Sequence, residues 1–232
     1  MSTVRRELTD TQWLKALGVD PFWIVDNPPP AETAVPEARS LKVEAVAGWA
    51  ALDRTIRSCK SCTLARGRKQ AVPGSGDQQA DWMLIGEAPG AEEDMSGLPF
   101  SGQSGKLLDA MLAALELKRD KGVYLTNAVK CRPEDNRTPE SGEIDACNGF
   151  LKHQIEQIQP KVILALGRPA AYAVLGQEAS IQSMRGTVHY YTLGDRNIPV
   201  VVTYHPAYLL REPAEKWKAW QDLLLARQSL DA

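Results

Sequence analysis

Four short apolar runs punctuate the chain: Trp82-Met-Leu-Ile85, Val123-Tyr-Leu-Thr126, Lys161-Val-Ile-Leu-Ala-Leu166 and Pro199-Val-Val-Val-Thr203. Each is too short for a typical helix and lacks the in–out alternation of a half-exposed strand. Each therefore predicts a strand buried on both faces. Helical patterns lie between and after them. Gly105–Leu117 carries leucines and Met111 at helical spacing, and Pro139–Ile158 opens with Thr138 as a candidate N-cap and Pro139 at the first helical position. Pro169–Leu175 is a short helix, and Glu212–Gln228 is a closing one. Upstream, Leu41, Val43, Val46, Trp49, Leu52 and Ile56 fall roughly on one face, which predicts a helix over 41–58. Strands alternating with helices predict an α/β fold, a three-layer α/β/α sandwich around a small central parallel sheet. Ligands of such folds sit beyond the carboxyl ends of the strands, and every unusual stretch of this chain follows a strand. No internal repeat is visible.

The first forty residues read differently. Thr11-Gln-Trp-Leu-Lys-Ala-Leu17 is a short amphipathic piece, and Asn27-Pro-Pro-Pro30 opens a linker that runs to about residue 40. Three successive prolines cannot continue a helix and favour extended geometry. Residues 1–40 are thus an N-terminal extension with a Pro-rich linker, and 41–232 form the folded domain. The extension is open to a role as a partner-binding tail or as a simple structural addition.

Composition narrows the setting. The 232 residues are 44% hydrophobic and 24% charged, as expected of a globular protein. No apolar run reaches the roughly 18–20 residues that cross a bilayer, so no membrane association is expected. Met1–Glu7 is charged but has no apolar segment behind it, which argues against a secretory signal and for a cytoplasmic setting with reduced thiols. The net charge of −2 excludes a protein that packages nucleic acid by bulk charge, but not one with a local basic face. Arg54, Arg57, Lys60, Arg66, Arg68 and Lys69 offer such a stretch, opposed by Asp53; a solvated helix-and-loop surface is the simpler account of it.

Four cysteines, Cys59, Cys62, Cys131 and Cys147, are the whole complement. In a reducing compartment, four with none spare favour metal over disulfides. Structural zinc more often shows two tight pairs, or one pair with paired histidines, and His153, His189 and His205 are scattered. An iron–sulfur cluster accepts scattered thiolates. Spacing alone leaves three readings open: iron–sulfur, zinc, or unligated core cysteines. A redox dithiol fits less well, because Cys59-x-x-Cys62 does not open a helix after a strand.

Three strand-end stretches carry candidate chemistry. Gly86-Glu-Ala-Pro-Gly90 follows the first strand; its glycines permit close backbone approach to a ligand, and Glu87 could polarise water or face a developing cation. A surface turn with solvated acids is the plain alternative. The loop continues through Phe100, either a loop anchor or a platform for a flat ring, into Ser101-Gly-Gln-Ser-Gly-Lys106. That segment is no P-loop: Phe100 stands at the first glycine position, and Leu107 where Ser or Thr must bind magnesium. Nucleoside triphosphate hydrolysis is excluded on that ground, although the amides at this helix start, around Ser104, could hold one phosphate. Asn127 ends the second strand. Held in one orientation, its amide matches the O4 and N3–H edge of uracil and mismatches cytosine; otherwise it caps the strand. After the last strand, His205 could donate to a departing base anion, Leu209 or Leu210 could wedge into a base stack, and Arg211 could grip a phosphate. A structural histidine and core leucines are the alternatives.

Together these stretches resemble one family. Gly86-Glu-Ala-Pro-Gly90 with Glu93-Asp94, Pro99-Phe-Ser-Gly102, Thr126-Asn-Ala-Val-Lys-Cys-Arg-Pro133 with Asn136-Arg-Thr-Pro139, Cys147, and His205-Pro-Ala-Tyr-Leu-Leu-Arg211 resemble the type-4, iron–sulfur branch of the uracil-DNA glycosylases. The resemblance spans about residues 52–225. It implies that Cys59, Cys62, Cys131 and Cys147 ligate a [4Fe-4S] cluster with a structural and DNA-positioning role. It implies that Phe100 stacks on flipped uracil, Asn127 reads its polar edge, and the backbone from Gly86 to Ala88 completes the pocket. Glu93 would lie near uracil C5, where a thymine methyl would clash, and His205 would stabilise the uracil anion. Glu87 stands where the best-known uracil glycosylases carry a water-activating aspartate.

The expected activity is hydrolysis of the N-glycosidic bond of deoxyuridine in DNA, leaving an abasic site in base excision repair. No lysine is expected to act as a nucleophile, so strand cleavage should not follow. A related iron–sulfur subgroup bonds covalently to its DNA through a loop histidine; Pro133-Glu-Asp-Asn-Arg-Thr-Pro139 has none, so turnover is expected. The repair role suggests a monomer. The alternatives are a non-catalytic iron–sulfur DNA-binding module and a redox or zinc protein.

Overall fold

The computed structural model describes residues 48–230. Six strands form one sheet: β1 (Ser75–Gly76), β2 (Trp82–Gly86), β3 (Val123–Asn127), β4 (Val162–Leu166), β5 (Val188–Leu193) and β6 (Arg196–Thr203), in the order β1-β3-β2-β4-β6-β5. The inner four are mutually parallel, and β1 and β5 add antiparallel edges. The four predicted strands are these inner four. Both edge strands escaped the sequence pattern, as did the start of β6. Pro199 lies before the β4–β6 ladder begins at Val200, so its missing N–H costs nothing on that side. On the other side β6 extends back to Arg196 against β5, a partly exposed edge without a continuous apolar run.

The helices are α1 (Trp49–Ser58), α2 (Ala91–Ser96), α3 (Gln103–Ala114), α4 (Ser141–Ile158), α5 (Arg168–Leu175), α6 (Ile181–Met184), α7 (Pro206–Arg211) and α8 (Lys216–Gln228). Alternate strand residues face opposite layers. Met83, Ile85, Ile163, Ala165, Val200 and Val202 pack with Leu52 and Ile56 of α1, Ile144 and Leu151 of α4, and Ala171 of α5. Trp82, Leu84, Val162, Leu164 and Val201 pack with Leu108 and Leu112 of α3 and Leu223 of α8. That alternation makes the sandwich three-layered, as predicted. Asp222 of α8, fully buried, accepts from Thr203 Oγ1 at 2.8 Å and from Arg185, which locks α8 against the strand that delivers His205.

Three helix starts differ from expectation. α4 is capped by Glu140, not Thr138: Glu143 returns to the Glu140 N–H at 2.9 Å, a carboxylate arrangement the Thr-Pro pair obscured. α3 begins at Gln103 rather than Gly105. The stretch from Glu212 to Glu215 is a cap and a 3-10 turn, so α8 begins at Lys216. The helix predicted over 41–58 is seen from Trp49; Leu41, Val43 and Val46, the extension 1–40 with Thr11–Leu17, and the boundary at 40 lie outside the described residues. No helix among the described residues is long and apolar enough to cross a membrane.

Candidate active site

The strand order reverses beside β2: the chain passes from β2 to β3 on one side, then to β4 on the other. A crevice at such a switch point, beyond the carboxyl ends, is where open α/β sheets bind ligands. Here a cleft of 610 Å³ opens there, with walls from the ends of all four parallel strands. Glu87, Ala88 and Glu93 follow β2, Pro133–Thr138 follow β3, Gly167–Pro169 follow β4, and Tyr204, His205 and Arg211 follow β6. Ser104 of α3 completes it.

Gly86, Phe100 and Asn127 converge beside the cleft. Asn127 and Gly86 are register partners at the ends of β3 and β2, so the two strand ends set their separation. A Cβ built on Gly86 would overlap both Asn127 Oδ1 and Phe100 Cζ. Only glycine leaves that space. Phe100 is buried, with φ 53°, a backbone region that bulky residues rarely adopt. The surrounding contacts hold it there. Arg119 donates to the carbonyls of Pro99 (3.1 Å), Phe100 (2.7 Å) and Gly105 (3.1 Å) and pairs with Asp109. Glu93, buried, accepts from the N–H groups of Gly90 and Phe100, which staples the β2 turn to the Phe100 loop. Burial raises the Glu93 carboxyl above its ordinary range, against those two donors.

The Phe100 ring stacks on His205, centroids 5.8 Å apart and planes 26° apart. His205 Nδ1 accepts the Ala207 N–H at 3.1 Å. A ring nitrogen that accepts carries no proton, which assigns the proton of a neutral ring to Nε2. Burial, aided by the positive charge of Arg211, pulls this imidazole down to about 4. His205 is therefore a neutral donor at physiological pH. Glu87 is half-buried; burial raises its carboxyl, while a hydrogen bond from Thr138 and the charges of Arg168 and Arg211 oppose the rise.

One expected DNA contact is corrected. Leu209 is 1% exposed and packs with Tyr204 and Ala219, so it is core; the exposed leucine of α7 is Leu210, at 44%. The basic stretch is also partly committed elsewhere. Arg57 pairs with Asp53, Arg68 donates to Cys131 Sγ at 2.7 Å and to two carbonyls, and none of the six lines the cleft. The cleft's cations are Arg137, Arg168 and Arg211. Arg137 and Arg168 were missed because each is a lone charge in a loop or at a helix start. Arg137 is held by buried Glu143 through two bonds of 2.7 and 2.9 Å, and Thr63 donates to the same carboxylate at 3.1 Å. These donors hold Glu143 down at about 2.

The four cysteines come from the C-cap of α1 (Cys59), the turn after it (Cys62), the β3–α4 loop (Cys131) and α4 (Cys147), and they pack into one core cluster. Burial raises the Cys131 thiol, and the charges of Cys62 and Cys59 add to it; burial pushes Cys147 up to about 12, with Cys131 and Cys62 adding. Among the described residues no three His, Cys, Asp or Glu side chains stand grouped to hold a metal ion as they are. A single Zn²⁺ needs its sulfurs about 2.3 Å from one point. The donor set is four cysteines in one core cluster, with Arg68 donating to Cys131 Sγ.

The strand ends thus bring together an amide, an aromatic ring, a buried imidazole and a carboxylate around one cleft. Residues 73–224 match the uracil DNA glycosylase superfamily, and the chain belongs to it, in its type-4 branch. The type-4 uracil-DNA glycosylase of Archaeoglobus fulgidus is 40% identical over 164 residues, 69% of this chain and 82% of that protein. That of Sulfurisphaera tokodaii is 45% identical over 163 residues, 68% and 74% respectively. That of Thermotoga maritima is 43% identical over 157 residues, 67% and 80%.

Proposed function

We propose that this protein removes uracil from DNA by hydrolysing the N-glycosidic bond, releasing the base and leaving an abasic site for base excision repair. The observation that carries this is the junction of Gly86, Asn127, Phe100 and His205: a space closed to any Cβ, bounded by an oriented amide, an aromatic ring and a neutral imidazole. An extrahelical uracil stacked against Phe100 presents its O4 and N3–H to Asn127. Cytosine would leave that amide mispaired, which a buried polar site rejects strongly. As the bond breaks, negative charge gathers on uracil O2 and positive charge on the sugar. His205 Nε2–H stabilises the first as a neutral hydrogen-bond donor. Glu87 faces the second and orients water.

Affinity for DNA comes from Arg211, Ser104 and the cleft arginines, Arg137 and Arg168, through phosphate. Leu210 takes the wedge role, being the exposed neighbour of core Leu209. Glu93 acts at the uracil C5 side by fixing the Gly90 and Phe100 amides.

Cys59, Cys62, Cys131 and Cys147 would hold a [4Fe-4S] cluster. The fit rests on the donor set: four cysteines in one core cluster, two of them buried, with Arg68 donating to Cys131 Sγ. When bound, the cluster supplies a structural staple that joins α1, the β3–α4 loop and α4. The chain works as a soluble monomer on uracil-containing DNA, in the cytoplasm; a protein partner for the N-terminal extension remains a separate proposal.

The test is a duplex with one U·G mismatch, incubated with the protein and then treated with alkali. Expected are cuts at uracil only, none in a T·G duplex, none before alkali, and strongly reduced cutting with Asn127→Ala. Protein with its iron and sulfide intact that releases no uracil would overturn the reading.

A further inference from the structure

The catalytic reading leaves one charged group unused. Lys130 is 1% exposed and stands among the largest fully buried side chains of the molecule. Its three ammonium protons meet three acceptors: Thr126 Oγ1 at 2.6 Å, the Asn127 carbonyl at 2.7 Å and Gln154 Oε1 at 2.7 Å. All three are neutral, and among the described residues no carboxylate pairs with it. A buried ammonium without an anion is costly, so such groups are normally paired. The same residue's N–H points at Cys147, and its carbonyl accepts the Val72 N–H at 2.8 Å.

The chain therefore makes a short turn from Asn127 to Cys131, and the lysine fastens it from inside. At one end, Asn127 is fixed by its register with Gly86, and the Ala128 N–H donates to the Gly86 carbonyl at 2.8 Å. At the other end stand two of the four cysteines. The Asn127 carbonyl sets the tilt of its own peptide plane, and with it the direction of the amide that lies against Gly86.

We propose that Lys130 is a positioning residue that ties the four-cysteine centre to base recognition: its ammonium holds the Asn127 backbone at one end of the turn whose other end is Cys131. The proposal rests on Asn127 reading uracil. It assigns the lysine no bond to substrate. Its effect on uracil must therefore pass entirely through Asn127.

A double-mutant cycle on the iron-loaded protein isolates that route. Lys130→Met, Asn127→Ala and the double variant are compared by single-turnover uracil release and by binding of free uracil. The iron and sulfide content is read alongside. With its iron retained, Lys130→Met is expected to lower uracil release and uracil affinity about tenfold, and to add nothing in the Asn127→Ala background. Should Lys130→Met give no loaded protein, Thr126→Val decides by the same criterion, since it removes one of the three acceptors at little cost in volume. Losses that add to those of Asn127→Ala, or unchanged uracil affinity, would overturn the positioning role. Wild-type release by Asn127→Ala alone would instead sink the pocket reading, a different failure from an additive cycle.

Discussion

The floor of the site and its rim are built on opposite plans. The floor is Gly86, Phe100, Asn127 and His205: short or planar groups at strand ends, neutral and fixed by backbone contacts. The rim is Ser104, Arg137, Arg168, Leu210 and Arg211: longer or exposed groups on helix starts and loops. A buried polar floor discriminates because any mismatch strands a group without a partner. A cationic rim attracts any DNA alike, and salt weakens it. In the proposed reading, selectivity and affinity lie a few residues apart, beyond the carboxyl ends of the parallel strands.

The sharpest break in that contrast is expected at the floor. His205→Ala should lower uracil release about 10²–10³-fold at unchanged DNA affinity, read by single-turnover kinetics and gel shift. Gly86→Ala places a methyl on Asn127 and Phe100, and should cost activity on a comparable scale while non-specific DNA binding persists. The leucine pair separates core from rim within one helix. Leu209→Ala should destabilise the fold by about 2–5 kcal/mol in denaturant titration. Leu210→Ala should leave the midpoint unchanged and slow uracil release from duplex more than from single strand.

A smaller effect belongs to pH. His205 ordinarily titrates at 6.5 and is held at about 4 in the fold. Between those values the unfolded chain binds a proton that the folded chain does not, so stability rises with pH across that window. His205→Gln should flatten this part of a Tm-against-pH curve; an unchanged slope would mean the imidazole is not held neutral. The smallest effect is at the rim. Arg211→Ala should weaken DNA binding on any sequence and reduce the salt slope by about one.

The floor was legible in the sequence and the rim only in part. Asn127, Gly86 and His205 were readable because each abuts an apolar run, and parallel topology brings strand ends together. Leu209 and Leu210 are adjacent, and only packing against Tyr204 and Ala219 shows which is core. Arg137 and Arg168 carry no local signal, since a single arginine in a loop is ordinary. Arg119 and Lys130 were missed for a different reason. Both act on backbone carbonyls, Arg119 on residues fourteen to twenty positions away and Lys130 through a turn whose shape no pattern announces. The edge strand β5 was hidden because a half-exposed edge needs no continuous apolar run.

Arg119 has a consequence for anyone redesigning the enzyme. The strained Phe100 is braced from behind by a side chain that spans three carbonyls with a planar fork, a geometry lysine cannot copy. Mutating the visible walls to admit a bulkier base would leave that brace in place and the ring where it was. Directed evolution of substrate range would gain more from libraries at Arg119 and its partner Asp109, where loosening the brace frees the Phe100 ring itself.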